Sequence, residues 1–474
     1  MADIPSKKRH SERRFRQYLT AVVVNLTSLV NGVAIGWTSP VLPLLQSDAN
    51  PVDGLAMSDA SASWLGSILA AGALLSTPLY GVLCKHCSRK IVGYTVGLFA
   101  LLGWCLILFA RSHIMLLLGR LSLGFVASGN NILCSIYIAE TVDDDIRGSL
   151  GALISLFISA GIVVSYILGS YLPYMIFNII CLLIPGVYLL AFWWLPESPV
   201  YLESKGLHFQ AHKVRESLNM KYKNPKIEQA TLDNKNEIQG QNNFLFEAIH
   251  NRGTRMALVI GLGVMACNQF SGVMAVISYT VTIFQESGSE MSPNVSTILV
   301  GTLQVIGVYF TSFLVDRLGR KILLVISSII AATCLGTLSI YFYFRNHEYD
   351  MSHFGWVPVT SLCVYIIGIA IGVGSIPFIV IGEIFAPNVK SIAITLCISM
   401  GNLGSFLVAR FFMGLTKTLG LSGCYLLFAI SNLLSAAFCY FVVPETKNKS
   451  LETILNELNR KDMKNNLGQS STMV

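Results

Sequence analysis

Charged residues are scarce in this chain of 474 residues, where Asp, Glu, Lys and Arg together make up only 12%. A soluble protein of ordinary composition carries about 25% charged residues, so a fold in water is not expected. The hydrophobic share is 53%, and the mean hydropathy is +0.61. This composition predicts a membrane protein.

Signals of several other protein classes are absent as well. The sequence has no Walker-type phosphate loop, which argues against a pump driven by nucleotide hydrolysis. Cys84 and Cys87 form a CxxC without a second pair, so a zinc or redox site is not expected. No nucleophile and base stand in an enzyme-like pattern, and the N-terminus lacks a clear cleavage site for a signal peptide. We therefore expect no enzyme activity, no cofactor, no metal and no nucleic-acid partner.

Apolar segments long enough to cross a bilayer occur throughout the chain, since a span needs roughly 20 apolar residues. Continuous runs of this length indicate helices rather than the shorter strands of a barrel. We predict twelve spans, at residues 18–43, 61–83, 91–110, 113–138, 148–170, 173–195, 256–284, 295–315, 321–344, 357–382, 391–414 and 421–443.

Basic residues concentrate in the N-terminus, in the polar segment between the sixth and seventh spans, and in the C-terminal tail. The first loop, at 44–60, has no Lys or Arg but contains three Asp residues. Because basic loops face the cytoplasm, we predict a multi-pass plasma-membrane protein with both termini cytoplasmic. The predicted parts are an N-terminal tail (1–17), a first bundle (18–195), a cytoplasmic linker with short helices (196–255), a second bundle (256–443) and a cytoplasmic tail (444–474).

A set of charged motifs occurs once in each half of the chain. The repeated motifs are Ser88-Arg89-Lys90 with Gly319-Arg320-Lys321, Glu140 and Arg147 with Glu383 and Lys390, and Pro196-Glu197-Ser198 with Pro444-Glu445-Thr446. Such a duplication is typical of transporters whose two pseudo-symmetric halves rock against each other around a site near the bilayer midplane.

These motifs, together with Asp316-Arg317-Leu318 and with Arg120-x3-Gly124, resemble the sugar-porter branch of the major facilitator superfamily. The resemblance extends from Gly32 to about Glu452. Within that branch, Trp37-Thr38-Ser39-Pro40 and the stretch 276–281 are most similar to the insect facilitated trehalose transporters and their relatives. The resemblance implies an all-α membrane fold of twelve helices in two six-helix bundles. The expected partners are the surrounding lipid bilayer and a small-molecule sugar, which the protein would transport. The oligomeric state is not predicted.

The repeated charges suggest a gate at the cytoplasmic ends of the helices. We assign Arg89, Glu140, Arg147, Glu197, Asp316, Arg320, Glu383, Lys390 and Glu445 to this gating charge network. One exposed pair contributes only about 1 kcal/mol, but a network of several can bias a conformational equilibrium. The alternative is that these charges only mark loop ends and anchor the topology.

Polar groups inside the spans are the candidates for binding the solute. Asn268 and Gln269 in span 7 are the best pair, because an amide both donates and accepts hydrogen bonds and so suits vicinal hydroxyls. The resemblance adds further substrate-binding candidates, which are Ser155, Met274, Tyr279, Phe378 and Asn402. Interhelical hydrogen bonding by Gln269 and ordinary packing by Phe378 remain open as alternatives.

Several of these positions differ from the family pattern. The family usually has Gln at Asn268, Asn at Met274, Gln at Ser155 and Trp at Phe378. Each lost polar contact removes roughly 1 kcal/mol of sugar binding. We therefore expect a wider and more apolar site than a glucose site, and a hexose, trehalose, a polyol or a non-sugar all remain open.

Few acidic residues lie inside the predicted spans, and this bears on whether transport is coupled to protons. Proton-coupled relatives commonly carry an Asp in span 1 at the position of Ala34, and no acid lies at mid-depth in any predicted span. A proton relay needs a titratable group inside the membrane, so we predict facilitated diffusion through alternating access. The alternatives are a proton-linked sugar symporter and a non-transporting sensor or orphan carrier of the same fold.

Glycine and proline cluster in two of the spans. Span 1 contains Gly32, Gly36, Pro40 and Pro43, and span 10 contains Gly368, Gly372, Gly374 and Pro377. Membrane helices tolerate such residues where neighbours satisfy the freed backbone groups. These clusters predict bends in spans 1 and 10.

Overall fold

The computed structural model describes residues 4–220, 252–288, 291–347, 349, 351–447, 449, 452–454 and 457–458. Within these ranges the side chains of 4–14, 144, 312, 316, 352, 387 and 388 are outside the description. The described residues form helices and connecting loops, without strands. The all-α class predicted from the sequence is confirmed.

The first half and the segment after it contain ten helices in the described residues. They are α1 Ile4–Gly36, α2 Thr38–Leu45, α3 Asp59–His86, α4 Arg89–Leu108, α5 His113–Thr141, α6 Asp144–Gly151, α7 Leu153–Tyr171, α8 Tyr174–Trp193, α9 Pro199–Ser204 and α10 His208–Ser217. Helices α9 and α10 lie in the predicted linker, whose residues 221–251 are outside the described ranges.

The second half contains seven further α-helices in the described residues. They are α11 Arg252–Phe270, α12 Val273–Ser287, α13 Pro293–Leu318, α14 Arg320–Asn346, α15 Val357–Ile371, α16 Ile376–Glu383 and α17 Pro387–Phe441. A short 3-10 turn, Ser352–Phe354, precedes α15.

Eleven stretches of helix among the described residues are long and apolar enough to cross a membrane. One of them, α17, has 55 residues and a length of about 80 Å at 1.5 Å per residue, far more than one crossing needs. It changes direction at Gly420, whose φ is +69°, a backbone region that favours glycine. Predicted spans 11 and 12 lie on either side of this break, so the twelve predicted spans are confirmed.

In the described part of the chain, spans 1, 7 and 10 are each divided between two helices. Span 10 breaks at 372–375 between α15 and α16, where Gly372 has non-helical angles, as its glycine and proline cluster predicts. Span 1 passes from α1 to α2 at Trp37, whose φ of −54° and ψ of −34° stay in the helical region. Span 7 also breaks, at Ser271 and Gly272, where the φ of Gly272 is +90°. This break was not predicted, because the hydrophobicity of span 7 continues across it.

Glycines allow the closest approaches within the first bundle. A Cβ atom on Gly161 of α7 would collide with the carbonyl oxygen of Leu29 on α1, and a Cβ on Gly32 would collide with the carbonyl of Ile158. A similar contact joins Gly72 of α3 and Gly124 of α5. Small residues at these crossings let the backbones touch, as is common between membrane helices.

The two ends of the helices differ in their charges. We call the end that carries Arg89, Glu140, Arg320 and Glu383 the motif end, and the other end the opposite end. Helix α3 has 28 residues and is about 40 Å long, so Asp59 at its start lies at the opposite end.

The close contact between α1 and α7 at Gly161 predicts that one added methyl group lowers the stability of the protein. Gly161→Ala is expected to destabilise the protein by about 1–3 kcal/mol, because the methyl group forces α1 and α7 apart. Thermal unfolding of the detergent-solubilised protein measures the effect. Gly186→Ala on α8 is the matched control, since a Cβ there meets no atom within 4 Å; equal Tm losses for both variants would contradict the close-packing argument.

Candidate functional site

Arg89 and Glu140 form a two-pronged ion pair at the motif end of the first bundle. The Nε atom of Arg89 donates to Oε2 of Glu140 at 3.0 Å, and its Nη2 atom donates to Oε1 at 2.8 Å. The Nη1 atom donates to the carbonyl of Cys84 at 2.9 Å. Because a bidentate pair fixes orientation as well as distance, this contact ties the end of α5 to the start of α4.

The second bundle repeats this pair with one change. Nη2 of Arg320 donates to Oε1 of Glu383 at 3.0 Å, and the hydroxyl of Thr446 donates to the other carboxylate oxygen at 2.6 Å. Thr446 therefore takes the role that the second guanidinium contact has in the first bundle. The pseudo-symmetry predicted from the repeated motifs extends to the hydrogen bonds.

Glu197 and Glu445 bind helix N-termini, a role that the sequence analysis missed. The carboxylate of Glu197 accepts from the backbone N–H groups of Arg89 at 3.1 Å and Lys90 at 3.4 Å. That of Glu445 accepts from Arg320 at 2.9 Å and Lys321 at 3.1 Å. These N–H groups lack partners inside their own helix, and a negative charge is favoured at a helix N-terminus.

The surroundings of Glu445 favour its charged form. Burial would by itself raise the pKa of this carboxyl, but the backbone N–H groups of Lys447, Arg320, Lys321 and Thr446 stabilise the anion. The net result is a pKa below the ordinary 4.5. Glycine is also required beside it, since a Cβ on Gly319 would lie 2.6 Å from Oε2 of Glu445.

The ion pairs seen at the motif end each lie within one bundle. Arg89 and Glu140 both belong to the first half, and Arg320 and Glu383 both belong to the second. Among the other predicted members, Arg147 donates to the carbonyl of Val142 at 3.3 Å and Lys390 is exposed, while the side chain of Asp316 is outside the described residues. These pairs hold helix ends together inside each half; their role as a gate between the halves stays a prediction.

The two amides of span 7 are buried and bonded to each other. The Nδ2 atom of Asn268 donates to the carbonyl of Val373 at 2.6 Å, and Nε2 of Gln269 donates to Oδ1 of Asn268 at 2.5 Å. Oε1 of Gln269 is buried and has no hydrogen-bond partner among the described residues. Asn268 thus supplies a partner to the backbone at the break in span 10, whereas Oε1 of Gln269 is an acceptor without a donor in the described part of the chain.

The remaining substrate candidates differ in their exposure and in their hydrogen bonds. Tyr279 is 1% exposed, and its hydroxyl donates to the carbonyl of Ala409 at 3.2 Å. Asn402 donates to the hydroxyl of Thr77 in the other bundle at 3.1 Å. Ser155 and Met274 are partly exposed, and Phe378 is 44% exposed.

Of these candidates, the structure brings Gln269 close to the helix segment of Asn402. A Cβ on Gly404 would lie 2.9 Å from the Cβ of Gln269, and a Cβ on Gly401 would lie 3.8 Å from its Nε2. The glycines flanking Asn402 therefore leave space for the Gln269 side chain between α11 and α17.

Arg120 is a fully buried cation that the sequence analysis used only as part of a motif. It is 1% exposed. It donates to the carbonyl oxygens of Ala34 and Leu65, and its guanidinium lies 5.6 Å from the centre of the Trp37 ring. No carboxylate pairs with it among the described residues. Its charge is instead stabilised by backbone carbonyls and by an aromatic face.

Further contacts between the two bundles lie at the opposite end. Lys417 pairs with Asp59 at 2.5 Å. Arg410 donates to the hydroxyl of Ser63 at 2.9 Å and stacks on Trp64, with 4.7 Å from its guanidinium carbon to the ring centre. The two halves are therefore closed against each other at this end.

Two bundles of membrane-spanning helices, with buried amides and broken spans between them, define a membrane carrier. Comparison with known proteins agrees. A family model described as "Sugar (and other) transporter" matches residues 20–458. The facilitated trehalose transporter Tret1 of Polypedilum vanderplanki is 32% identical over 443 residues, covering 93% of this chain and 87% of the relative. That of Culex quinquefasciatus is 31% identical over 453 residues, covering 95% and 87%. The chain belongs to the sugar transporter family.

Solved structures agree on the fold. The crystal structure of a D-xylose-proton symporter superposes with a TM-score of 0.71 at 19% identity, covering 92% of this chain and 99% of the other. The inward open conformation of the xylose transporter XylE from E. coli gives 0.71 at 21% identity, covering 92% and 98%. The predicted major facilitator fold is confirmed.

Because the Glu445 carboxylate binds the N-terminus of α14, we predict that its contribution to stability depends on pH. Glu445→Gln is expected to lower the free energy of unfolding at neutral pH by about 1 kcal/mol, since it removes the anion that binds the α14 N-terminus. Because the folded-state pKa is lowered, the wild-type advantage is complete above the ordinary pKa of 4.5 and is lost as the pH falls through the folded-state value.

Thermal unfolding of both proteins in detergent between pH 3 and pH 7 tests this. The difference in Tm between the wild type and Glu445→Gln should be constant near neutral pH and should become smaller as the pH falls towards 3. Glu286→Gln, at an exposed carboxylate, is the control and should lower Tm little at any pH. A difference that grows towards acid pH would contradict the assignment.

Proposed function

We propose that this protein is a sugar carrier that moves trehalose or a hexose by facilitated diffusion. Membership of the sugar transporter family along residues 20–458 carries the proposal. The relatives at 31–32% identity are named facilitated trehalose transporters, which favours trehalose or a similar sugar. No covalent chemistry is part of this mechanism.

The candidate site supports a polar solute that offers hydroxyl groups. A buried amide oxygen without a partner is costly, and a sugar O–H that donates to Oε1 of Gln269 would remove that cost. Phe378 supplies an aromatic surface for the apolar face of a sugar ring, and Ser155, Met274 and Asn402 are proposed to line the path beside it. Tyr279 closes it towards the opposite end.

The environment of Arg120 supports uncoupled transport. A carboxylate beside this arginine would be titratable inside the membrane and could carry a proton. Ala34 instead offers only its backbone carbonyl to the guanidinium, and a carbonyl does not change its charge over the physiological pH range. Proton-linked symport is the second candidate, since a structural neighbour is titled a D-xylose-proton symporter.

We propose the plasma membrane as the location, with both termini and the linker in the cytoplasm. The basic residues of the tails and linker support this orientation. We also propose that the chain is divided into two bundles, at 18–195 and 256–443, which are joined by a linker at 196–255. Transport then proceeds by alternating access, in which the two halves rock about the site.

The function is tested by uptake into proteoliposomes that contain the purified protein. Radiolabelled trehalose, glucose and fructose are compared with and without an imposed proton gradient. Saturable flux that does not depend on the gradient is expected. Flux that follows the gradient would establish symport instead, and binding without flux would establish a sensor.

The role of Gln269 is tested by replacing it with an apolar residue. Gln269→Leu is expected to raise the KM for the transported sugar about fivefold or more, because the loss of one hydrogen bond removes about 1 kcal/mol. The same change at Gln304 on α13 is the matched control, and its KM should equal that of the wild type. An unchanged KM in Gln269→Leu would assign this amide to helix packing.

A further inference from the structure

Arg120 has buried hydrogen-bond donors without an acceptor in the described part of the chain. A guanidinium has five N–H donors and no acceptor. Its Nε atom donates to the carbonyl of Leu65 at 3.4 Å, its Nη1 atom donates to the carbonyl of Ala34, and no bond from Nη2 is seen among the described residues. Because Arg120 is only 1% exposed, bulk water does not supply the missing acceptors.

The positive charge of Arg120 has no acidic partner among the residues that the structure describes. The sequences of α2, α4, α7 and α8 contain no Asp or Glu. Helices α3 and α5 contain one acid each. These two acids are Asp59, which pairs with Lys417, and Glu140, which pairs with Arg89. A buried charge without a counter-ion is costly, so the surroundings of Arg120 are incomplete.

Arg120 lies beside Trp37, the residue that joins α1 to α2. Its guanidinium carbon is 5.6 Å from the centre of the Trp37 ring. The ring of Trp104 on α4 meets the Trp37 ring edge to face, with 6.5 Å between the two ring centres. Nε1 of Trp37 donates to Oδ1 of Asn178 on α8 at 2.8 Å. Arg120, Trp104 and Asn178 therefore surround one indole ring inside the first bundle.

Trp104 and Asn178 also have buried donors without a partner. Nε1 of Trp104 and Nδ2 of Asn178 have no hydrogen-bond partner among the described residues, and both side chains belong to residues that are 0% exposed. The orientation of the Asn178 amide is fixed by Trp37, because an indole N–H only donates and must face the amide oxygen. Three helices thus place unsatisfied N–H donors around Trp37, and one of these donors is charged.

N–H donors without acceptors, together with a positive charge, are the surroundings that an anion needs. A buried water could accept from some of these donors, but it carries no charge and would leave the guanidinium without a counter-ion. An anion would meet both needs through charge-assisted hydrogen bonds. The hydroxyl of Tyr174, one turn before Asn178 on α8, is also buried without a partner in the described ranges and can donate as well. An enclosed site of this kind suits a small ion.

We propose that the first bundle binds a small monovalent anion, such as chloride, between Arg120, Trp104 and Asn178. The anion accepts hydrogen bonds from the guanidinium, the indole and the amide, and it neutralises the buried charge. It thereby holds α4, α5 and α8 around the junction of α1 and α2. This anion site is separate from Gln269, which lies in the second bundle, and it does not depend on which solute the protein carries.

Thermal unfolding of the full chain in detergent, without any sugar, tests the anion site. Chloride, acetate and bicarbonate are each titrated into a methanesulfonate buffer at constant pH and ionic strength. Because a ligand that binds only the folded state raises Tm by mass action, the anion that fits should give a saturable rise of about 2 °C or more. The anion that acts at the lowest concentration identifies the occupant as a halide or a carboxylate-type ion, and binding of its radiolabelled form should saturate at a single site.

Three substitutions inside the anion site have different expected effects. Arg120→Met removes the charge and should abolish the rise in Tm with added anion, even where the Tm itself does not fall. Trp104→Phe keeps an aromatic ring and removes one N–H donor, so the Kd of the anion should rise about fivefold. Asn178→Asp keeps the acceptor for Trp37 and supplies a built-in negative charge, so Tm should no longer depend on added anion. If Arg120→Met does not fold, the other two variants carry the test.

The matched controls are Arg410→Gln and Trp64→Phe. Arg410 also lies over a tryptophan ring, at 4.7 Å from the centre of the Trp64 ring, but Trp64 is 41% exposed and the pair is open to its surroundings. Both control variants should keep the wild-type Kd of the anion. An equal loss in Trp64→Phe and Trp104→Phe, or an anion effect that persists in Arg120→Met, would overturn the proposal. A wild-type Tm that responds to none of the three anions would also overturn it and would leave water as the partner of these donors.

Discussion

The architecture depends on one constraint, which is that a backbone N–H or carbonyl that leaves the helical ladder inside a membrane must find another partner. At the break in span 7, the carbonyl of Ser271 accepts from the hydroxyl of Tyr365 and from Nδ2 of Asn432, each at 3.1 Å. At the break in span 10, the N–H of Val373 donates to the hydroxyl of Ser327 at 3.0 Å, and its carbonyl accepts from Asn268. In span 1, the carbonyl of Ala34 accepts from Arg120.

The same constraint explains why the charged residues at the motif end bind different partners. Two carboxylates of the repeated motifs, Glu197 and Glu445, bind free N–H groups at the starts of α4 and α14, while Glu140 and Glu383 bind the arginine side chains of those helices. Each half is thereby fixed as a unit at this end. The rocking motion proposed for transport needs few changes inside either unit, so these contacts can stay in place while the halves move.

The sequence predicted the coarse structure well, because hydrophobic length and repeated charges are local signals. Twelve spans, two halves, and the break in span 10 follow from residues read in order. The break in span 7 does not, since Ser271 and Gly272 sit in an apolar run and the partners that stabilise the break, Tyr365 and Asn432, lie on α15 and α17. The capping role of Glu445 was missed for a similar reason: its hydrogen-bond donors are backbone N–H groups, which no side-chain pattern reveals.

The candidate site illustrates how far a residue's neighbours decide its role. Asn268 and Gln269 are chemically alike and adjacent, and the sequence assigns them one role. The shorter amide of Asn268 reaches the carbonyl of Val373 and is held there at 2.6 Å, while the longer side chain of Gln269 packs beside Gly401 and Gly404 and keeps its oxygen unbonded. Asn268 thus links the break in span 10 to the helix that carries Gln269. In the proposed carrier, a ligand that binds Gln269 would therefore contact the helix that Asn268 links to the break in span 10.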